Sequence, residues 1–296
     1  MASVQANGIT IEYESFGAPD APPVLLIMGL GGQLTLWPVE LCEALVARGF
    51  RVIRYDNRDI GLSTKFDHAG LPDIAALMMA SFTGKMPDVA YTLDDMAADA
   101  AGLLDALGIT RAHIVGASMG GMIAQNFAAN YPARTLSLTS IMSTTGNPAV
   151  PPARPEAMAV LTNRPATQDP EVLMAFLVNT ARVIGSPVYP ASEERLLARI
   201  RADLQRSYSP TGYVRQMAAI IAAGDRRGKL ASIAAPTLVI HGDADPLVSI
   251  EGGRDTAANI KGAELRIIPG MGHDLPLELV ETIAGAIAGV ASRAGG

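Results

Sequence analysis

Short runs of β-branched and aliphatic residues alternate along the chain with longer stretches whose apolar positions recur at three- and four-residue steps. The short runs lie at residues 8–13, 24–28, 51–55, 112–115, 136–140, 237–241 and 264–268. Several are almost wholly apolar, which predicts strands buried on both faces of a mostly parallel sheet. Among the longer stretches, Leu93, Met96, Ala100, Leu103, Leu104 and Leu107 fall on one helical face. Asp94 and Asp95 complement the dipole in the first turn of that helix, and Gly108 is a suitable stop. A last helix is predicted over residues 277–291. This alternation predicts an α/β fold with helices on both faces of the sheet.

The pattern changes over residues 147–228, where Pro148, Pro151, Pro152 and Pro155 open a segment without a convincing buried strand. Helices are predicted there over 171–183, 193–206 and 212–223, and the sheet resumes at Ala235-Pro236-Thr237. The expected organisation is a core of residues 1–146 and 229–296, interrupted by a helical cap of residues 147–228.

With 49% apolar against 18% charged positions, the 296 residues can bury a large core. The formal net charge of -6 gives no general reason to approach nucleic acid or anionic lipid. Met1-Ala2-Ser3-Val4-Gln5 lacks the basic-then-apolar pattern of an export signal, and no apolar run approaches the roughly 18 residues of a membrane span, so a cytoplasmic protein is expected. The single cysteine, Cys42, lies in an amphipathic helical segment and reads as a packed thiol.

Ser118 stands in Gly116-Ala117-Ser118-Met119-Gly120, between the run at 112–115 and a helical stretch at 119–128. A sharp strand-to-helix turn of this kind presents a hydroxyl above the sheet and sets backbone N–H groups beside it, and small neighbours make the turn possible. A lone G-x-S-x-G can also be a turn with a capping serine; its context favours the nucleophile. Such a serine needs a base and an orienting carboxylate. His68 falls in a loop, His113 reads as a packed strand residue, and His241 ends a strand where a structural hydrogen bond is expected. His273, in Pro269-Gly270-Met271-Gly272-His273, follows the last strand, and the chain order serine, aspartate, histidine selects it as the base. In His241-Gly242-Asp243-Ala244-Asp245-Pro246, motif position favours Asp245 as the acid and leaves loop capping to Asp243.

Together with Leu26-Ile27-Met28-Gly29-Leu30-Gly31-Gly32 and Tyr55-Asp56-Asn57-Arg58-Asp59-Ile60-Gly61-Leu62-Ser63, these motifs carry a resemblance over nearly the whole chain. The chain resembles the α/β-hydrolase fold family, and within it the small carboxylesterases of the aclacinomycin methylesterase-like branch. The resemblance implies an oxyanion hole formed by the backbone N–H groups of Leu30 and Met119. The sequence departs from the family at Met28, where many members carry histidine. The polar residues of the Asp56 to Ser63 segment read as structural ties rather than catalytic groups. Trp37 and Met78, with Met79 and Phe82, are candidates for a substrate pocket, although such residues are more often core.

The expected activity is hydrolysis of a small-molecule carboxylic ester through an acyl-enzyme, with Ser118, His273 and Asp245 as the triad. No dinucleotide, P-loop or metal-ligand pattern occurs in the sequence, and neither cofactor nor metal is expected. The same triad could open a lactone, break a carbon–carbon bond, or pass the acyl group to a nucleophile other than water. A lidded receptor that binds a small molecule without turnover is the alternative outside enzymology.

Overall fold

A computed structural model describes residues 1–83, 88–167 and 169–295. The strands are β1 (Ala2–Ala6), β2 (Ile9–Phe16), β3 (Pro23–Ile27), β4 (Arg51–Tyr55), β5 (Ala112–Ala117), β6 (Thr135–Ile141), β7 (Thr237–Gly242) and β8 (Glu264–Ile268). They form one sheet in the order β1-β2-β4-β3-β5-β6-β7-β8. β2 pairs antiparallel with β1 and β4, and every pairing from β4 to β8 is parallel.

The helices of the core are α1 (Val39–Val46), α3 (Leu93–Ala106), α4 (Met119–Asn130), α10 (Ile250–Ala258) and α11 (Val280–Ala291), with α2 (Ile74–Phe82) between β4 and α3. The apolar strand runs feed two cores. Leu25 and Ile27 of β3, with Ile53 and Ile114, pack against Leu103 of α3 and Ile123 and Phe127 of α4. Val24, Leu26, Val52 and Val115 face the other way, against Leu41 and Leu45 of α1 and Ile283 and Ile287 of α11. Alternate side chains of one strand point to opposite faces, so a strand covered on both sides has no polar positions to spare. Cys42 is buried in the second core, where loss of solvent pushes its thiol up to about 12. It is a packed residue, as expected.

Between β6 and β7 the chain forms α5 (Pro155–Thr162), α6 (Pro170–Ile184), α7 (Glu193–Arg206), α8 (Pro210–Ala223) and the short α9 (Arg227–Leu230). The three helices expected there are present. α5 was not anticipated, because its proline reads as a breaker; Pro155, Pro170 and Pro210 all occupy a first helical turn, where a missing N–H costs nothing. α2 packs on α8, so the helical layer over the sheet draws on residues outside 147–228. No helix among the described residues is long and apolar enough to cross a membrane.

Candidate active site

The strand-to-helix turn after β5 puts Ser118 at φ 56°, ψ -122°, a backbone conformation that L-residues rarely adopt. Such strain is held by what surrounds it. The Ser118 N–H donates to the Ile141 carbonyl at 2.9 Å, and the Ser118 carbonyl accepts from Gly121 N at 2.9 Å and Ser143 Oγ at 2.8 Å. A Cβ on Gly120 would overlap the Ile27 carbonyl, and one on Gly116 would overlap the carbonyl of Gly120. The small residues of the motif are therefore required by contact, not by flexibility.

The loops after β7 and β8 bring two further groups to this turn. His273 Nε2 lies 2.9 Å from Ser118 Oγ, and His273 Nδ1 lies 2.7 Å from Asp245 Oδ2. Both His273 and Asp245 are buried. The other carboxylate oxygen of Asp245, Oδ1, accepts from the N–H groups of Leu247 at 2.8 Å and Val248 at 2.9 Å. Burial works to raise the Asp245 pKa, but the His273 ring, its hydrogen bond and the Val248 N–H outweigh it and hold the carboxyl below its ordinary value. The carboxylate is thus charged and faces the imidazole.

The remaining acidic and histidine candidates make other contacts, although His241 Nε2 lies 3.6 Å from Asp245 Oδ2. Asp243 Oδ1 accepts from Gly270 N at 2.7 Å, tying the β7 loop to the β8 loop rather than capping its own turn. His241 Nε2 makes the expected structural hydrogen bond, to the Val248 carbonyl at 2.9 Å, and burial lowers its pKa. His113 is buried against Phe50, with Nδ1 2.9 Å from Ser137 Oγ. His68 lies exposed in the short 3-10 turn Asp67–Ala69, beside Phe66, rather than in an irregular loop.

The loop after β3 runs against the nucleophile turn: a Cβ built on Gly29 would stand 3.0 Å from Ser118 Cβ. Within this loop the Gly31 N–H goes to Gln216 Oε1 at 2.9 Å and the Gly32 N–H to the Gly29 carbonyl at 3.1 Å. Neither the Leu30 N–H nor the Met119 N–H finds an acceptor among the described residues. Both N–H groups are thus left without a partner, in the loop and the turn that meet at Ser118.

The Asp56 to Ser63 segment ties this loop down. Asp56 accepts from Leu34 N at 2.7 Å, from Leu62 N at 2.8 Å and from the Arg206 guanidinium of α7 at 2.7 Å. Asn57 Nδ2 donates to the Met28 carbonyl at 2.8 Å, and Ser63 Oγ to the Asp56 carbonyl at 2.6 Å. Asp59 takes a bidentate pair of bonds from Arg215 of α8, at 2.7 and 2.8 Å.

The loop carrying His273 is held from the other side. The His273 N–H donates to the Ile184 carbonyl at the end of α6 at 2.7 Å, and Gly272 N to Ser186 Oγ at 2.8 Å. Ser186 Oγ also bonds to Asp274. Asn57 makes a structural tie, as its place in the Asp56 to Ser63 segment predicts. Sequence reasoning missed Ser186 and Gln216; each is a single polar residue whose partner is distant in the chain, and no local pattern marks it.

Of the pocket candidates, Trp37 is corrected. It is fully buried in the α1/α11 core and its carbonyl accepts from Arg54, so its large apolar surface is spent on packing. Met78 is half exposed and lines a cavity of about 270 Å³ with Met122, Ile220, Ile221, Thr144 and Arg226. Met79 is exposed on the outside of α2, and the side chain of Phe82 lies outside the described residues. Among the described residues no group of three or more His, Cys, Asp or Glu is placed to hold a metal ion.

Three comparisons bear on this geometry. The family model for the alpha/beta hydrolase fold matches residues 22–278. Rhodomycin D methylesterase DauP of Streptomyces sp. (strain C5) is 32% identical, over 96% of this chain and 95% of that protein. Among solved structures, a meta-cleavage product hydrolase from Pseudomonas fluorescens IP01 superposes with a TM-score of 0.78 at 22% identity, covering 99% of this chain and 98% of that one. The enol-lactonase from Burkholderia xenovorans LB400 gives 0.73 at 24% identity, with 98% and 100% covered. The two structures share the fold.

Proposed function

The chain belongs to the alpha/beta hydrolase fold family, and from that premise we propose that it hydrolyses a small-molecule carboxylic ester through an acyl-enzyme on Ser118. The observation that carries the reading is the unbroken line Ser118 Oγ, His273 Nε2, His273 Nδ1, Asp245 Oδ2, at 2.9 and 2.7 Å.

His273 Nε2 removes the Ser118 proton as Oγ attacks the acyl carbon, and Asp245 keeps the other ring proton on Nδ1 and offsets the positive charge that forms on the imidazole. The N–H groups of Leu30 and Met119 receive the oxyanion of the tetrahedral intermediate; removing one such donor elsewhere costs about 3 to 4 kcal/mol of transition-state stability. His273 then protonates the leaving alcohol. Water, activated by the same ring, attacks the acyl-enzyme, and collapse of the second tetrahedral intermediate frees the acid. A methyl ester is the favoured substrate class, since the relative DauP is a methylesterase. Lactone opening would use the same steps with the alcohol left attached, and transfer of the acyl group would differ only in the second nucleophile.

Residues 147–228 form the cap in this reading, with α2 added because it packs on α8 and contributes Met78 to the cavity between them. That cavity reaches Met122, one helical turn beyond Ser118, and accepts the apolar part of the ester. A non-catalytic receptor would have no use for a buried carboxylate aligned on a histidine and a strained serine.

The test is hydrolysis of a panel of chromogenic esters of increasing acyl length, of methyl esters followed by acid release, and of lactones, by the wild type and by Ser118→Ala. Turnover of at least one ester by the wild type and its loss in the variant support the reading. Turnover retained at the wild-type level in Ser118→Ala removes it.

A further inference from the structure

The structure assigns a positioning role to Gln216: from cap helix α8 it fixes the peptide next to the oxyanion donor Leu30. Gln216 is fully buried, and both ends of its amide are used. Its Oε1 accepts the Gly31 N–H at 2.9 Å and its Nε2 donates to the Arg58 carbonyl at 2.9 Å. A donor on one side and an acceptor on the other permit only one orientation of the amide.

The consequence for Leu30 follows from peptide geometry. The Leu30 N–H belongs to the peptide whose carbonyl is that of Gly29, and in a trans peptide the two groups point in opposite directions. That carbonyl is engaged by Gly32 N at 3.1 Å, so the N–H is turned outward from the loop's own turn. The next peptide is the one Gln216 holds through Gly31 N. The two planes meet at the Leu30 Cα, and with both fixed the Leu30 N–H has no soft torsion left.

Tyr213, three residues earlier on the same face of α8, closes the space above. Gly31 sits at φ +68°, and a Cβ there would come within 2.6 Å of the Tyr213 ring. The oxyanion loop is therefore braced by Asn57 from the core and by Gln216 and Tyr213 from the cap. The cap does more than cover a pocket; it completes the geometry of the site.

This inference rests on the reading of Leu30 as an oxyanion donor, and the experiment separates the two. The full-length protein and its Gln216→Met, Gln216→Glu and Ser118→Ala variants are compared for kcat, KM and inhibition by a trifluoromethyl ketone analogue of the ester, which forms a tetrahedral oxyanion on the nucleophile. Methionine keeps the size of glutamine and removes both the acceptor and the donor; glutamate, kept neutral by burial, retains an acceptor for the Gly31 N–H and an O–H donor for the Arg58 carbonyl.

We expect Gln216→Met to lose about 100-fold in kcat and a similar factor in ketone affinity, with KM changed less than about threefold, since small displacements of preorganised groups act on the transition state. Gln216→Glu should recover most of the loss. A residue needed only for folding would not split kcat from KM in this way. If Ser118→Ala is inactive while Gln216→Met keeps wild-type kcat and ketone affinity, the inference fails and the hydrolase reading stands; if Ser118→Ala is fully active, the reading itself fails.

Should the Gln216 variants not fold, amide hydrogen exchange in the unmodified protein decides. The Gly31 amide is expected to be protected and the Leu30 amide to gain protection only when the ketone binds. Free exchange at Gly31 would overturn the inference.

Discussion

Replacing Asp245 by asparagine changes one atom, and the structure dictates where that atom must go. Oδ1 of Asp245 receives two backbone N–H groups, from Leu247 and Val248, while Oδ2 faces His273 Nδ1. The asparagine amide has one oxygen, and the two N–H groups claim it. Its NH2 group then points at His273 Nδ1, which must act as the acceptor, and the ring proton moves to Nε2. In that tautomer Nε2 cannot take the proton of Ser118. The opposite orientation restores the tautomer but leaves two buried N–H groups facing an NH2.

Each unsatisfied buried donor costs about 1–3 kcal/mol. The productive orientation is therefore disfavoured by about 2–6 kcal/mol, which at 1.36 kcal/mol per factor of ten lowers kcat by about 30-fold to about 10⁴-fold. Loss of the negative charge beside the imidazolium pushes the result toward the upper end, where the equivalent exchange in serine protease triads falls. The assay is steady-state hydrolysis of a saturating chromogenic ester, with near-UV circular dichroism to confirm folding. Asp243→Asn is the control: its carboxylate bonds to Gly270 N and does not touch His273, so kcat should stay within about threefold. Retention of more than a tenth of wild-type kcat by Asp245→Asn, or greater damage from Asp243→Asn, would refute the reasoning.

Two further outcomes concern stability. Burial lowers the pKa of His113 from 6.5 to about 4, so the unfolded chain takes up a proton as pH falls through 6.5 and the folded protein does so only near 4. At pH 7 the ring is neutral in both states and costs nothing; between pH 6.5 and about pH 4.5 only the unfolded chain gains the proton, so acidification over that interval removes about 2–3 kcal/mol of stability. Urea unfolding at about pH 7 and about pH 4.5 should show a smaller drop for His113→Gln than for the wild type, and equal drops would contradict it. Arg215 and Asp59 form a buried pair joining α8 to the Asp56 to Ser63 segment. Arg215→Met strands the carboxylate and should cost about 3–5 kcal/mol in urea unfolding; a loss under about 1 kcal/mol would show that Tyr91 and Phe66 N satisfy Asp59 unaided.

The central strands β3, β5 and β7 were legible because burial on both faces removes polar positions, leaving runs such as Val24 to Met28 that no surface element could carry. β1 was not. It is a five-residue edge strand of small and polar residues, stabilised by pairing with β2 rather than by its own burial. Chain order and glycine punctuation singled out Ser118, Asp245 and His273, and the structure places them within hydrogen-bond reach. Trp37 was misjudged because a large apolar side chain reads alike whether it lines a pocket or fills a core. Gln216 left no trace, since its two partners, Gly31 and Arg58, lie 185 and 158 residues away. Local pattern reports what a residue does for its own helix or strand. Contacts made across the chain to hold a loop in place are invisible to it.

The central claim is that one hydroxyl, that of Ser118, is the nucleophile. The most direct measurement is treatment of the native protein with a fluorophosphonate, followed by mass spectrometry of its peptides. A single phosphonyl adduct on Ser118, absent when His273 is replaced by alanine, is the expected result. An adduct on another serine, or turnover that survives full modification of Ser118, would contradict the account.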